Sequence, residues 1–270
     1  MADISRLSLN QATTKRWTLR EAAEGCARAG IPWIGVWRDR LAEVGPAQAG
    51  RIVRDAGLKV SALCRGGYFP AATPEERRAR IEDNLRAVEE AAAIGADTLA
   101  VVCGPAPDRD IQGARMMVEE GIRAVIPYAR EHGVRLAIEP LHPMFAADRS
   151  VIASLREANN LAERIGSPQV GLILDAYHLW WDADLYPQIA RAAGRIFGFH
   201  VSDWIIPLPD VLNGRGMMGD GVIELRRIRS AVDAAGYAGP IEVEIFNQAI
   251  WDAPGDETLA LMRRRFLEHV

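Results

Sequence analysis

The sequence predicts an α/β fold, a single (β/α)8 TIM barrel domain over residues 1–270, from three observations. Eight short apolar runs alternate with helix-like stretches. Seven of these stretches close on a glycine, which accepts the left-handed turn that ends a helix. The chain length is close to the roughly 250 residues of eight strand and helix units, and leaves little chain for a second domain. The closing glycines are Gly30, Gly57, Gly95, Gly133, Gly166, Gly194 and Gly236.

The predicted strands follow these glycines within a few residues. Each is rich in Val, Ile, Leu or Phe, as is typical of strands that are buried in a parallel sheet. One further strand, in ISRLSLN, precedes the first helix. The eight predicted strands are residues 4–10, 33–37, 59–64, 98–103, 135–139, 170–175, 196–200 and 241–246.

Two of the helices have recognisable starts. Thr18 with Glu21 fits the capping box, in which the two side chains satisfy the first free amides of a helix. Thr73 with Glu76 fits the same pattern, and Pro74 stands at the first helical position, where proline is favoured. We therefore expect helices to begin after Thr18 and after Thr73.

Composition excludes several classes of function. The net charge of -4 and the pI near 5.8 provide no basic surface for nucleic acid. No apolar run approaches the ~18 residues of a membrane span, and MADISRLSLN lacks the features of a signal peptide, so we expect a cytoplasmic protein without a membrane partner. Cys26, Cys64 and Cys103 are odd in number and lack CxxC spacing, which favours reduced core residues over disulfides.

Four potential metal ligands stand at the ends of the last four predicted strands. They are Glu139, Asp175, His200 and Glu244. Because parallel strands end at one mouth of a barrel, we expect these side chains to converge there. Three carboxylates and one imidazole predict a single divalent metal, with Mn²⁺ favoured and Mg²⁺, Co²⁺ or Zn²⁺ also compatible. Glu242 points the same way by strand alternation but lies deeper, so Glu244 is the preferred ligand.

In the order and spacing of these ligands, the chain resembles the sugar isomerases and epimerases with a xylose-isomerase-like TIM barrel, among them inosose isomerase and the ketose 3-epimerases. The resemblance spans nearly the whole chain and implies that the same four residues hold one divalent metal. It also implies that His178, in the pattern Asp-x-x-His, and Arg215, in the loop after strand seven, contact substrate oxygens.

The chain departs from the family pattern after its first metal ligand. Many epimerases carry Glu-x-x-Asn there, whereas the segment EPLHPMF places His142 at the position of the asparagine. His142 is either a substrate contact, able to act as an acid or base because imidazole titrates near neutrality, or a loop histidine that pairs with a neighbouring carboxylate. Endonuclease IV, the nucleic-acid branch of the family, needs three zinc ions and more histidine ligands than the five histidines here provide.

Aromatic side chains near the strand ends suit a sugar or polyol substrate. Trp37, Trp204 and Phe246 are the predicted contacts, because aromatic faces stack on the apolar face of a sugar; ordinary packing at the rim is the alternative. The long segment from Trp204 to Gly221 contains Arg215 and could fold over the metal as a lid. The rim aromatics leave open either a homodimer or a monomer.

The sequence therefore predicts a metal-dependent sugar isomerase or epimerase that acts on a ketose, an inosose or a related keto sugar. The reaction would pass through a metal-bound cis-enediolate, with Glu139 and Glu244 as the acid and base pair that removes and returns the proton. The alternative is a metal-dependent lyase or hydrolase of 3-keto-glycosides, in which the same enolate expels a group β to the carbonyl. His142 acting as a general acid toward the leaving group would favour that alternative.

Overall fold

The computed structural model describes residues 3–270, and its main feature is a closed barrel of eight parallel strands. Each barrel strand pairs with the next one along the chain, and the last pairs with the first. Two further short strands, β8 and β9, form an antiparallel pair between the seventh and eighth barrel strands. The strands are β1 Leu7–Asn10, β2 Trp33–Trp37, β3 Lys59–Gly67, β4 Thr98–Val102, β5 Arg135–Glu139, β6 Val170–Asp175, β7 Ile196–Val201, β8 Asp203–Trp204, β9 Arg215–Gly216 and β10 Ile241–Val243.

Helices surround the barrel and connect successive strands. Short 3-10 turns at Gln11–Thr14 and Pro143–Phe145 follow β1 and β5. The helices are α1 Leu19–Ala29, α2 Arg38–Val44, α3 Pro46–Asp55, α4 Pro74–Ile94, α5 Ile111–Glu131, α6 Leu155–Ile165, α7 Ala176–Leu179, α8 Leu185–Arg191, α9 Leu225–Ala234, α10 Gln248–Asp252 and α11 Gly255–His269.

The predicted fold class and all eight barrel strands are confirmed, with differences of one residue at the ends of β4 and β7 and larger differences at three other strand ends. The first strand begins at Leu7, because the Leu7 amide donates to the Ile4 carbonyl in a turn. The third continues to Gly67, which pairs with β4 after a bulge. The last strand ends at Val243, before the predicted limit of residue 246, and beyond it the amide of Ile245 donates to the hydroxyl of Thr13 at 2.9 Å. The chain therefore leaves the barrel ladder just where its last carboxylate stands.

The predicted helix boundaries are confirmed as well. Thr18 and Thr73 each form a complete capping box with the glutamate three residues on. The seven closing glycines have positive φ angles between 65° and 89°, a region that costs little only for glycine. The capping boxes and closing glycines therefore mark where these helices begin or end, and so where the neighbouring strands lie in the chain.

The core lies mainly between the strands and the helices and is aliphatic. Inside the barrel a small apolar cluster of Cys64, Ala100, Ala137 and Ile173 fills one part of the interior, and polar side chains fill another. All three cysteines are free and buried, as predicted. Within residues 3–270, none of the helices combines the length and the apolar character needed to cross a bilayer.

Candidate metal centre and active site

Four buried side chains converge at the carboxyl end of the barrel. Glu139 and Asp175 are the last residues of β5 and β6, His200 lies near the end of β7, and Glu244 follows β10 directly. One ligand atom from each residue lies within 4.8 Å of the others. The predicted convergence of these four residues is therefore present in the structure.

The donor atoms of this cluster fit a divalent cation. His200 Nδ1 lies 3.4 Å from Glu139 Oε1 and 3.8 Å from Glu244 Oε2. Both His200 Nδ1 and Glu139 Oε1 are buried without a hydrogen-bond partner. Leaving such atoms unpaired is costly, and a metal ion would satisfy both. Three oxygen ligands and one nitrogen ligand suit Mn²⁺, Mg²⁺, Co²⁺ or Zn²⁺.

The three carboxylates of the cluster are not electrostatically equivalent. Burial raises the pKa of Glu139 above its ordinary value, with His200 opposing the shift only in part. Burial is the largest single influence on Asp175 and Glu244 and acts in the same direction, but the Arg215 guanidinium and His200 together oppose it and the pKa of each lies below the ordinary value. Arg215 therefore stabilises two of the three carboxylates as anions.

Arg215 reaches the centre from the segment between β7 and β10. Its Nη1 donates to Asp175 Oδ2 at 2.8 Å and to Glu244 Oε2 at 3.0 Å. The β8 and β9 pair and a hydrogen bond from Asn247 Nδ2 to the Arg215 carbonyl fix its backbone. An arginine that sequence analysis placed in a long loop is thus an integral part of the centre.

His178, on α7, also contacts this arginine. Arg215 Nη2 lies 3.1 Å from His178 Nε2, so the arginine donates and the imidazole accepts. Burial lowers the pKa of His178 to about 3, which keeps the ring neutral at physiological pH. The proton of the neutral ring is then on Nδ1, which is buried and has no hydrogen-bond partner. His178 therefore carries an unused donor beside the metal ligands.

A cavity of about 60 Å³ opens on these groups. Trp37 and Phe246 form one apolar wall, with their ring centroids 5.7 Å apart in an edge-to-face arrangement. Leu212 and Arg215 bring the predicted lid segment onto the cavity, while any motion of that segment stays a prediction. The residues that line the cavity are Trp37, Cys64, Arg65, Val102, Glu139, Leu141, Phe145, Arg149, His178, Leu212, Arg215, Glu244 and Phe246.

Two predicted substrate contacts, His142 and Trp204, are not among the residues that line this cavity. They belong to an aromatic cluster in which the His142 ring lies 5.1 Å from Trp204 and 5.4 Å from Trp181, and Trp204 stacks on Tyr177 at 4.9 Å. His142 Nδ1 accepts a hydrogen bond from the Met144 amide, and burial lowers the pKa of the ring. Their roles as substrate contacts stay predictions.

Asn10 is a residue of the site that sequence analysis missed. Its Nδ2 donates to Glu242 Oε1 at 2.5 Å and to Glu244 Oε1 at 3.1 Å, and its Oδ1 accepts from Trp37 Nε1 at 2.8 Å. Asn10 thereby fixes the candidate ligand Glu244 and one wall of the cavity together. The sequence did contain a signal for Asn10, because it is a polar residue at the end of the buried first strand. The four candidate ligands were identified by the same criterion, a polar side chain at the end of a buried strand.

Glu242 is a buried residue of the barrel interior, as expected, and it lies behind His200. It accepts hydrogen bonds from Asn10 and from the Ser61 hydroxyl. Its Oε1 lies 3.8 Å from His200 Nε2, on the side of the imidazole that faces away from the other ligands. Gly35 leaves room for this carboxylate, because a Cβ there would lie 2.1 Å from Glu242 Oε1. The barrel interior is thus shaped to hold a carboxyl group behind the candidate histidine ligand, and burial raises the pKa of that group above its ordinary value.

Residues 23–266 match the family described as Xylose isomerase-like TIM barrel. A solved structure, protein SMc04130 from Sinorhizobium meliloti 1021, is 48% identical and superposes with a TM-score of 0.97 over 99% of both chains.

Two curated relatives have named activities. The chain is 26% identical to 3-dehydroshikimate dehydratase of Pseudomonas aeruginosa, over 94% of this chain but only 41% of the dehydratase. It is 22% identical to L-ribulose-5-phosphate 3-epimerase UlaE of Escherichia coli K12, over 79% of this chain and 76% of the epimerase. The family match covers most of the eight-stranded barrel and includes all four converging ligands, and the chain therefore belongs to the xylose isomerase-like TIM barrel family.

Proposed function

We propose that this protein is a divalent-metal-dependent isomerase or epimerase that acts on a ketose, an inosose or a related keto sugar. The observation that carries the proposal is the buried cluster of Glu139, Asp175, His200 and Glu244, in which Glu139 Oε1 and His200 Nδ1 have no hydrogen-bond partner among the described residues. The epimerase relative, which matches across most of its own length, supports the same reaction class.

A divalent cation held by these four side chains would withdraw electrons from a substrate carbonyl and an adjacent hydroxyl, and so acidify the C–H bond between them. We propose Mn²⁺ as the native ion, because an oxygen-rich set with one imidazole suits it well. The protein's own contribution is to hold the sugar so that this bond faces a carboxylate.

Glu139 and Glu244 are the proposed acid and base pair. Both line the cavity, and they belong to strands on different sides of the barrel mouth, β5 and the strand before Glu244. One carboxylate, as the anion, takes the proton from carbon, and the other, which starts protonated, donates its own proton to the opposite face of the same carbon or to the neighbouring carbon. Epimerisation needs no further proton movement, whereas isomerisation also moves the hydroxyl proton to the former carbonyl oxygen.

His178 and Arg215 are the residues proposed to position the substrate. The unpaired Nδ1–H of His178 is available to donate to a substrate oxygen, and Arg215 holds the ring by its other nitrogen. Trp37 and Phe246 present an apolar wall to the carbon face of the sugar and keep water away from the reacting bond. Such orientation matters because reacting groups must lie within about 3 to 3.5 Å of each other for efficient transfer.

A second candidate is a lyase that eliminates a group β to the carbonyl, of which hydrolysis of a 3-keto-glycoside would be one form. The dehydratase relative favours it, since removal of water can begin with the same proton abstraction. Elimination also needs an acid for the leaving group, and His142 does not line the cavity. We therefore rank the isomerase or epimerase first.

The test is incubation of Mn²⁺-loaded protein in D2O with ketoses, inososes, 3-keto-glycosides and 3-dehydroshikimate, followed by NMR. We expect deuterium to enter beside the carbonyl with the carbon skeleton intact. Loss of water or of an aglycone would favour the lyase. Absence of both from every substrate, with the metal bound, would contradict the proposed reaction class.

A further inference from the structure

The cavity wall carries two arginines that the proposed reaction does not use. Arg65 follows Cys64 at the mouth of β3, and Arg149 lies in the loop between β5 and α6. Both line the same cavity as Glu139 and Glu244, and both are half-buried.

The Arg65 guanidinium is held by an aromatic ring and not by an acid. It lies 4.2 Å from the centroid of the Tyr68 ring, and within the described part of the chain no carboxylate forms an ion pair with it. Tyr68 adopts a φ of 54°, a left-handed conformation that is uncommon for a bulky residue, and its amide is fixed to the Val102 carbonyl at 2.8 Å. The backbone thus holds the ring that supports Arg65, while the edge of the guanidinium stays available.

Arg149 is placed in a similar way. Its guanidinium lies 5.7 Å from the Phe145 ring, and its backbone is fixed by hydrogen bonds to Gly104 and Phe145. Among residues 3–270 its one ion pair is a loose contact of 3.8 Å with Asp148, whose side chain is 65% exposed. The Nε atom of Arg149 is buried without a hydrogen-bond partner.

Arginine differs from other cations in that it stacks on aromatic rings while its N–H edge binds carboxylate or phosphate oxygens, often two at once. Arg215, the third arginine of the cavity, already forms ion pairs with Asp175 and Glu244. Arg65 and Arg149 therefore supply positive charge and donors that the protein itself leaves unmatched beside the candidate metal centre. A neutral sugar would leave the positive charges of Arg65 and Arg149 unmatched.

We infer that Arg65 and Arg149 form a subsite for an anionic group of the substrate, so that the substrate is a keto sugar acid or a keto sugar phosphate. This inference rests on the proposed function, which identifies the reacting part of the substrate as a keto sugar. The anion itself is recognised by charge and by the N–H edges of the two guanidinium groups, at a distance from the reacting carbon.

The test compares three small probes with a common carbon skeleton: glycerol, glycerate and glycerol phosphate. Each is titrated by calorimetry into Mn²⁺-loaded protein, into Arg65→Gln and Arg149→Gln, and into the charge-retaining Arg65→Lys and Arg149→Lys. We expect at least one anion to bind wild type about tenfold or more tightly than glycerol, which is the size expected of charge-assisted hydrogen bonds. Preference for glycerate indicates a sugar acid, and preference for glycerol phosphate indicates a sugar phosphate.

In the glutamine variants this preference should fall about tenfold, and the lysine variants should keep part of it. Arg54→Gln, at the opposite end of the barrel, is the matched control and should bind like wild type. Equal affinity for glycerol and both anions, no detectable anion binding, or a preference that persists in both glutamine variants would overturn the subsite. Because binding is measured without turnover, this result is independent of whether deuterium exchange supports the proposed reaction.

Discussion

The two ends of the barrel differ in how their buried polar groups are paired, and this difference does not follow the sizes of their cavities. At the amino-terminal end, where Lys59 and Arg135 begin their strands, the structure has a cavity of about 650 Å³. At the carboxyl end, a cavity of about 620 Å³ lies over the ends of β2 and β3, and the cavity at the candidate metal centre is only about 60 Å³. The smallest of the three is nevertheless the one lined by the buried carboxylates of Glu139 and Glu244 and by the imidazole of His178.

At the amino-terminal end of the barrel, the charged group of Arg135 is matched by a carboxylate of the protein. Arg135 pairs with Asp97 at 2.8 Å and lies over the Phe197 ring at 4.5 Å, and Lys59 lies over the Trp33 ring at 5.1 Å. At the carboxyl end, buried atoms of Glu139, His178 and His200 have no partner. Unmatched buried donors and acceptors, more than open volume, mark the end of the barrel where chemistry is expected, in agreement with the usual place of active sites in this fold.

The largest expected effect comes from the two proposed proton-transfer groups. Glu139→Gln or Glu244→Gln should lower kcat/KM by ~10²–10⁴-fold, because an amide cannot exchange the proton. Circular dichroism should show that each variant keeps its fold. Arg54→Gln is the control at the other end. If either glutamine variant were nearly as active as wild type, the two-carboxylate mechanism would be ruled out.

Metal removal should abolish turnover as well. Dialysis against a chelator should leave a folded but inactive protein, and Mn²⁺ should restore activity. At a metal concentration of 100 times the Kd, binding should also stabilise the fold by about 2.7 kcal/mol, visible as a higher Tm. Full activity in thoroughly chelated protein would contradict the role assigned to the cluster.

A smaller effect is expected at Glu242, which lies between the two ends. Its carboxylate faces His200 Nε2 and so favours the tautomer whose Nδ1 is free to bind the metal. Glu242→Gln should weaken metal affinity by about 10- to 100-fold, the usual range for groups that support a metal ligand. Calorimetry with Mn²⁺ measures this directly, with Glu257→Gln on the surface as the matched control. An unchanged affinity would show that Glu242 serves only the packing of the barrel.

The smallest effect is expected at the large amino-terminal cavity. Lys59→Gln and Arg54→Gln should change kcat/KM by less than about twofold, since surface substitutions away from special features act weakly. Steady-state kinetics on the substrate found by NMR provides the measurement. A tenfold loss in either variant would mean that the comparison between the two ends is incomplete.

Much of this architecture could be predicted from the sequence because it depends on local signals. Apolar runs, capping boxes and closing glycines fixed the order of the strands, and parallel strands must present their final residues at one mouth, which brings Glu139, Asp175, His200 and Glu244 together. Those rules require no knowledge of how far one strand is shifted against the next.

The remaining features depend on that shift and on side-chain packing. The pairing of Asn10 with Glu242 and Glu244 follows from the register between β1 and β10, which spacing along the chain does not reveal. The same limit applies to His142, because its place after the first carboxylate does not reveal that its ring packs among aromatic residues. The path of the segment that carries Arg215 depends on the small β8 and β9 pair, which has no clear local signal.

The central claim is that the four converging residues bind one divalent metal at the carboxyl end of the barrel. A crystal structure of Mn²⁺-loaded protein, with anomalous differences measured at the manganese edge, tests it most directly. We predict a single strong peak bounded by Glu139, Asp175, His200 and Glu244, and its loss in Asp175→Asn. Manganese bound elsewhere, or none at this position under saturating conditions, would contradict the account.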